Sequence, residues 1–117
     1  MKRKLLWWAP ASRWRLVGLV GEADEIPNEI SPRGVILAGR SATEPKWIAF
    51  DCPCGAERVM INASTSRRPR WKCRTRFWTG VTLSPSIDTH HDAKKCHYLI
   101  RQGRTVWAAD SKTGPAR

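Results

Sequence analysis

Short apolar runs separated by turn residues dominate the chain after residue 33. Val, Ile, Trp and Phe are common in these runs, and such residues favour β-strands. The runs lie at 34–38, 46–51, 58–63, 71–74, 76–78, 81–83, 97–100 and 105–109. Their spacing of about 8 to 12 residues is typical of all-β domains. We therefore expect a mostly β fold, either a small single-domain antiparallel sheet or an open barrel.

Two glycine-containing pairs mark hairpin turns within this pattern. Thr79-Gly80 separates F-W from V-T-L, and Gln102-Gly103 separates Y-L-I-R from R-T-V-W. Glycine readily adopts the positive φ that tight hairpin turns require, so both pairs predict turns. Helical periodicity is weak throughout the chain, and we expect at most one helical turn, near 64–67.

The first 32 residues have a different texture. A basic, Trp-rich arm is followed by an acidic linker that contains proline. The sequence of the arm predicts that it forms either one strand at 14–20 or an extended segment that docks on the core. Its tryptophans suit burial against a partner element, with stacking on nucleic-acid bases as the alternative. We accordingly divide the chain into this arm and linker at 1–32, a β-rich core domain at 33–110 and a flexible tail at 111–117.

Composition limits the classes of partner. A chain of 117 residues has room for one hydrophobic core. The formal net charge of +11, from 21 Lys+Arg and 10 Asp+Glu, favours nucleic acid, anionic lipid or an acidic protein surface. Charge alone does not choose among these three. No apolar run approaches the roughly 18 residues of a membrane span, and the N-terminal one is too short for a secretory signal, so we expect a cytoplasmic protein.

Four cysteines suggest a metal site, because cytoplasmic cysteines are more often metal ligands or thiols than disulfides. The C-P-C-G at 52–55 follows an apolar strand, and two thiolates at this spacing can form half of a zinc knuckle. The favoured ligands are Cys52, Cys54 and Cys96, with a fourth from Cys73, His90, His91 or His97. A structural zinc ion is therefore predicted, with buried or reduced thiols as the alternative.

A serine-containing turn follows the predicted strand at 81–83. It reads Ser84-Pro85-Ser86, and His97 opens the next strand. If these two strands pair, the histidine comes near the serine and can remove its proton. Three carboxylates are candidates to orient the imidazole, namely Asp51, Asp88 and Asp92. The alternative is a plain turn whose hydroxyls bond backbone amides.

Two further polar stretches have both a functional and a structural interpretation. His90-His91-Asp92 suits metal binding or acid-base chemistry, but a solvated loop has the same composition. The stretch at 67–78 interleaves arginines with aromatic residues, as nucleic-acid surfaces do. The same pattern is also typical of a strand in which buried Trp71, Cys73 and Phe77 alternate with exposed cations. The sequence has no phosphate-binding glycine loop, which argues against nucleotide-dependent chemistry.

Four motifs, by their order and spacing, resemble a small bacterial domain family from ubiquitin-like conjugation operons. The motifs are F-D-C-P-C-G, P-R-W-K, T-G-V-T-L-S-P-S-I and C-H-Y-L-I-R-Q-G-R-T-V-W-A, and the resemblance covers 33–109. Members of that family occur beside ubiquitin-like proteins and E1-like and E2-like enzymes. There they resemble the peptidase component, which exposes the C-terminus of the ubiquitin-like protein or removes it from targets.

By position, the resemblance falls on the C-x-C-G at 52–55, on Pro85-Ser86-Ile87 and on His97. It implies Ser86, rather than Ser84, as the nucleophile. Many members have a cysteine three residues before the histidine, whereas here Lys94 occupies that position and Cys96 adjoins His97. Neighbouring residues on a strand point to opposite faces. We therefore expect Cys96 to face the predicted metal and His97 to face Ser86.

The leading hypothesis is a zinc-stapled peptidase or isopeptidase for a ubiquitin-like protein, with Ser86, His97 and Asp88 as catalytic residues. The turn that contains Pro85 and Ile87 would hold the oxyanion and the extended substrate tail along a sheet edge. The basic surface would meet an acidic patch on the modifier. One alternative is a metal-dependent peptidase that uses the Cys/His cluster. Another is a non-catalytic zinc-knuckle adaptor that binds nucleic acid or conjugation-pathway proteins.

Overall fold

Two four-stranded sheets make up the part of the chain that the structure describes. The computed structural model describes residues 8–53, 57–91 and 94–109. Within these ranges, sheet A has the order β1-β2-β3-β4 and sheet B the order β5-β6-β7-β8. The strands are β1 (Arg15–Val20), β2 (Gly34–Gly39), β3 (Pro45–Asp51), β4 (Arg58–Asn62), β5 (Lys72–Arg76), β6 (Gly80–His91), β7 (Lys94–Arg101) and β8 (Arg104–Trp107). No helix in this described part is long and apolar enough to cross a membrane.

The two sheets pack face to face around one main core. Each strand has one apolar face, and two such faces remove each other from water when the sheets stack. Sheet A contributes Leu16, Val35, Leu37, Ile48, Phe50, Val59 and Ile61, and sheet B contributes Val81, Leu83, Ile87, Cys96, Tyr98 and Ile100. The predicted mostly β class is confirmed. The predicted single sheet or open barrel is replaced by a sandwich of two sheets.

The segment at 21–32, which contains the predicted acidic linker, covers part of the other face of sheet A. Ile30 lies there against Ile36 and Ala49, with Val20 and Ile26 packed beside them. Residues 21–33 also carry the chain across the sheet, which allows β1 to pair with β2 in parallel. As a result every residue of β2 is buried. The N-terminal arm therefore supplies a strand to the sandwich, which was one of its two predicted forms.

Trp14 joins the two sheets immediately before β1. Its backbone N–H donates to the carbonyl of Gly103 at 2.8 Å, and its carbonyl accepts from the N–H of Val81 at 2.9 Å. Its indole Nε1 donates to Thr105 Oγ1 at 2.8 Å, while its ring meets Phe50 edge to face. The indole is 3% exposed, so for Trp14 the structure agrees with burial and not with base stacking.

Both predicted hairpin turns are present, with one shift. Gln102 and Gly103 connect β7 to β8 with φ of 50° and 78°, as a two-residue turn of the primed type requires. At the other turn, residues 77–79 connect β5 to β6, and Gly80 is the first residue of β6. The strand expected at 76–78 is therefore wrong beyond Arg76, since Trp78 has a φ of 73° and its indole is 58% exposed.

Two further local predictions differ from the structure. The segment near 64–67 forms turns rather than a helical turn, because the Asn62 amide Nδ2 donates to the carbonyls of Ser64, Arg67 and Pro69. The short 3-10 turn lies instead at Ala23–Glu25. The strand predicted at 81–83 continues to His91, so the polar stretch that was expected to be a loop is half of a long hairpin.

Candidate active site on the outer face of sheet B

A bulge in β6 places the serine motif outside the regular ladder. Leu83 pairs with Ile100 and Ile87 pairs with Tyr98, so the three residues 84–86 stand opposite the single residue 99. Proline has no N–H to donate to a ladder, and Pro85 therefore favours an interruption at this point. Bulges of this kind re-aim side chains next to active sites. Ser84 and Pro85 are exposed, and Ser86 is half-buried.

The bulge brings the Ser86 hydroxyl to the imidazole of His97. Ser86 Oγ lies 3.0 Å from His97 Nε2, which is within the range for a nucleophile and its general base. His97 is half-buried on β7 and its carbonyl accepts a hydrogen bond from the N–H of Ala108 at 2.9 Å. The backbone of His97 is thus held by the segment after β8.

The same bulge places Asp88 directly opposite His97. The His97 carbonyl points to Ala108, so its backbone polar groups face away from β6, and Asp88 and His97 form a non-hydrogen-bonded pair. In such pairs the side chains are closest, with Cβ atoms about 4.5 to 5.5 Å apart. Had the register of Leu83 and Ile100 continued unbroken, Ser86 would stand opposite His97 and Asp88 opposite Lys95. The shift gives the imidazole both neighbours.

Strand alternation separates these polar residues from the core. Ser86 and Asp88 point outward with His97, whereas Cys96 and Tyr98 point inward and are both 0% exposed. The side chain of Ile87 is also in the core, at 1% exposed, and cannot contact a substrate. A role for Ile87 is therefore limited to its backbone. The expected division, with His97 toward Ser86 and Cys96 toward the other face, matches the observed geometry.

Trp71 contacts the bulge from the side of β5. Its indole Nε1 donates to the carbonyl of Ser86 at 3.2 Å, and its backbone N–H donates to the carbonyl of Asn62 at 2.8 Å. The ring packs against the main core. Trp71 thus connects the backbone of Ser86 to the end of β4 in sheet A. The sequence placed Trp71 in a motif of the resemblance, but gave no signal that its indole reaches the serine.

The cysteines do not assemble as predicted within the described residues. Cys96 is disulfide-bonded, so its sulfur is not a thiolate ligand in this form. Cys73 pairs with Leu83, opposite Ile100, and therefore stands two strands across and four residues along from Cys96. That offset is on the order of 15 Å, too far for a shared metal ion. Cys73 is wrong as the fourth ligand of a site that contains Cys96.

A described neighbour of the Cys52 thiol is a buried hydroxyl group. Its Sγ lies 3.5 Å from the hydroxyl of Tyr98. Burial raises the pKa of Tyr98 above its ordinary value, and the hydrogen bond to Cys52 raises the pKa further. The described residues contain no group of three or more His, Cys, Asp or Glu side chains placed to hold a metal. Cys54 lies outside the described residues, and the zinc site stays a prediction without support from the residues that are described.

The remaining predicted site residues lie elsewhere. Asp51 is on sheet A, where its Oδ1 accepts a hydrogen bond from Arg58 Nε at 2.9 Å. His97 is on sheet B, so Asp51 does not lie beside it. The backbone of His90 and His91 continues β6, but their side chains lie outside the described part of the structure, as does Asp92. Asp88 is therefore the carboxylate that the ladder places beside His97.

Comparison with known proteins identifies a family. The model of the BubE family, described as the bacterial ubiquitination-like system serine protease, matches residues 22–108. That range includes seven of the eight described strands, β2 to β8, and the whole Ser86 bulge. No curated protein and no solved structure matches the chain.

Proposed function

The chain belongs to the BubE family of serine proteases of bacterial ubiquitination-like systems, and we propose that Ser86 is its nucleophile and His97 its general base. The observation that supports this assignment is the 3.0 Å distance between Ser86 Oγ and His97 Nε2 at the β6 bulge. A serine hydroxyl is a weak nucleophile until a base accepts its proton. The short distance from Ser86 Oγ supports His97 as that base.

In the proposed reaction, Ser86 Oγ attacks the carbonyl carbon of the scissile bond as its proton passes to His97 Nε2. The resulting tetrahedral intermediate collapses, the carbon–nitrogen bond breaks, and His97 gives the proton to the leaving amine. Water then attacks the acyl-enzyme ester, again losing its proton to Nε2, and Ser86 recovers the proton as the acid product leaves. Each half-reaction returns His97 to its neutral form.

Asp88 would orient the imidazole in this scheme. While Nε2 faces Ser86, the other ring nitrogen, Nδ1, is the one available to a carboxylate on the opposite strand. The pairing of Asp88 with His97 supports this assignment. Backbone N–H groups at 86–88 are the proposed donors to the oxyanion. Pro85 has no N–H, so its proposed contribution is to shape the bulge.

The proposed substrate is a ubiquitin-like protein, or a conjugate of one, cleaved after the C-terminal residue of the modifier. The family description and the resemblance to peptidases of conjugation operons support this choice. The hydroxyl of Ser86 lies on a sheet face that the described chain leaves open, where an extended protein tail has access. A narrow enclosed pocket would be expected instead for a small-molecule substrate.

The serine pair in the bulge offers a matched test. Ser86→Ala is expected to abolish cleavage of a fusion between a ubiquitin-like protein of this system and a C-terminal reporter, a loss of about 10³-fold or more. Ser84→Ala removes a hydroxyl from the same bulge and is expected to retain activity within about threefold. Circular dichroism and thermal unfolding of both variants control for the fold. Retention of cleavage by a folded Ser86→Ala variant would show that another group is the nucleophile.

A further inference from the structure

We propose that the outer face of sheet B is a docking surface for an acidic patch on the protein substrate, an inference that rests on the proposed function. Five cations project from this face within the described residues, all of them exposed. They are Lys72, Arg74 and Arg76 on β5, Arg101 on β7 and Arg104 on β8. None of these five side chains forms an ion pair with another described residue, whereas Arg58 pairs with Asp51 on sheet A.

Strand register aligns three of the arginines in a row across the sheet. Arg74 pairs with Thr82 on β6 and Arg101 pairs with Arg104 on β8. Because Leu83 pairs with Ile100, Thr82 stands opposite Arg101 and completes the row. Residues directly opposite each other share a face, so the guanidinium groups project on one side of the sheet. Neighbouring strands are about 4.8 Å apart, which concentrates the positive charge on a small area.

The row lies on the same face as the Ser86 hydroxyl and within reach of one extended substrate segment. His97 and Arg101 are four residues apart on β7, a distance of about 13 Å along the strand. Lys72 pairs with Ser84, so the charged surface begins beside the bulge itself. A protein bound at Ser86 must therefore cover or adjoin these cations.

The surface between the reactive pair and the row is apolar. Leu99 lies between His97 and Arg101 on the outer face of β7, and its partner on β8 is Val106, which is 41% exposed. An apolar centre with a charged rim is the usual composition of a protein–protein interface. Nucleic acid is instead bound by cations that follow a phosphate backbone together with aromatic platforms for the bases. The exposed aromatic residues near this face, Phe77 and Trp78, lie at the β5–β6 turn and meet each other edge to face, whereas the centre of the face is aliphatic. We therefore assign the face to an acidic protein surface.

Binding can be measured without turnover in the Ser86→Ala chain. The probe is a fluorescein-labelled hexaglutamate peptide flanked by glycines, and its anisotropy reports binding. A hexaglutamine peptide of the same length controls for backbone contacts, and a fluorescein-labelled thymidine dodecamer tests nucleic acid. We expect the hexaglutamate peptide to bind, the hexaglutamine peptide not to bind, and affinity to fall as salt rises from about 0.05 M to about 0.5 M.

Charge reversal within the row is then compared with charge reversal elsewhere. Arg74→Glu combined with Arg101→Glu is expected to weaken hexaglutamate binding by about tenfold or more. The control combines Arg40→Glu with Lys46→Glu, which makes the same change in net charge at exposed positions of the sheet A half. This control is expected to stay within about twofold, because exposed charges beyond a Debye length are screened. If charge reversal disturbs the fold, the double variant Arg74→Gln and Arg101→Gln removes the same two charges without introducing new ones.

The outcomes separate this inference from the proposed function. Equal weakening by both charge reversals would overturn the inference, because net charge alone would then explain binding. So would tighter binding of the thymidine dodecamer than of hexaglutamate with the same dependence on the row. Reaction of a fluorophosphonate with Ser86 in the otherwise native chain tests the nucleophile independently. Labelling with no hexaglutamate binding contradicts the docking surface alone, and binding without labelling contradicts the nucleophile alone.

Discussion

Sheets A and B have the same number of described strands, but they differ in how much of their outer faces is exposed to solvent. Sheet A is covered by sheet B on one face and, over its centre, by the 21–32 segment on the other, so that its strand β2 is buried at every residue, while Met60 on the outer face of β4 remains 42% exposed. Sheet B is covered on one face, and its other face carries Ser86, His97 and Asp88. Sheet A therefore acts as the support, and sheet B is free to carry exposed polar groups without loss of core area.

The comparison teaches how a small domain combines stability with reactive chemistry. Polar groups with unsatisfied hydrogen-bonding capacity are costly in a core. On the open face of sheet B, the same groups remain in contact with water until a substrate arrives. Strand alternation keeps the two roles apart by a single residue, since Ile87 is in the core while Ser86 and Asp88 point outward. Variants on the two faces should therefore separate activity from stability.

The largest effect is expected on the open face. His97→Gln should lower cleavage of the modifier fusion by about 10³-fold or more, because Ser86 loses its base. Combined with Ser86→Ala, it should cause no additional loss, since residues that act as one unit are not additive. The midpoint of urea unfolding should remain near that of the unmodified chain. Additive losses in the double variant would indicate that the two residues act separately.

The next largest effect is expected on the inner face, one residue away. Ile87→Ala should lower the free energy of unfolding by about 2 to 5 kcal/mol, because it leaves a cavity at a side chain that is 1% exposed. Leu37→Ala in sheet A should cost a similar amount. Thr82→Ser, on the outer face of the same strand as Ile87, should change stability by less than about 0.5 kcal/mol. Urea unfolding measures all three, and a cost at Ile87 below about 1 kcal/mol would contradict its place in the core.

Exchange of one carboxylate should have a smaller effect. Asp88→Asn is expected to lower cleavage by about tenfold or more, because an amide cannot stabilise the imidazolium as a carboxylate does. The matched control is Asp51→Asn on sheet A, which breaks the pair with Arg58 and should cost at most about 1 kcal/mol of stability. Its cleavage rate should be unchanged. Equal activity of the Asp88→Asn and Asp51→Asn chains would remove Asp88 from the mechanism.

The effect that is smallest near neutral pH concerns the titration of a single thiol at the inner side of β5. Burial raises the pKa of Cys73 from 9.0 to about 12, so the folded chain retains this proton more strongly than the unfolded chain. Stability from this group is complete below pH 9 and is lost as pH rises toward about 12. Cys73→Ala should flatten the fall in unfolding free energy across that range. An identical slope in both chains would show that Cys73 is not desolvated.

Much of the local structure could be predicted from sequence because it depends on neighbouring residues. The alternation along β7 placed His97 and Cys96 on opposite faces before any packing was known. Gln102-Gly103 predicted its hairpin because the turn needs two positive φ angles. The prediction of a strand at 76–78 was wrong because it relied on local β propensity alone. Phe77 and Trp78 have strong β propensity, but the connection between β5 and β6 required a turn there.

Contacts that depend on strand register were harder to predict from the sequence. Ser86 and His97 could be paired as candidates, but the position of Asp88 depends on a shift at the bulge that no local pattern specifies. Cys73, one of the candidates for the fourth zinc ligand, failed because register and not chain order sets its distance from Cys96. The indole of Trp71 reaches the Ser86 carbonyl from another strand, and a sequence pattern does not show such a contact.

The sequence by itself determined the mostly β class, the faces of β7 and the two residues that were proposed as nucleophile and base. The class and the faces of β7 follow from propensity and alternation, which act over a few residues, whereas the choice of Ser86 over Ser84 follows from the P-S-I motif of the family that the chain resembles. Only the tertiary structure decided that two sheets stack, that β1 joins in parallel, and that a bulge gives His97 both Ser86 and Asp88 as neighbours. Those features depend on which strand pairs with which and in what register, a choice made by the packing of the whole chain.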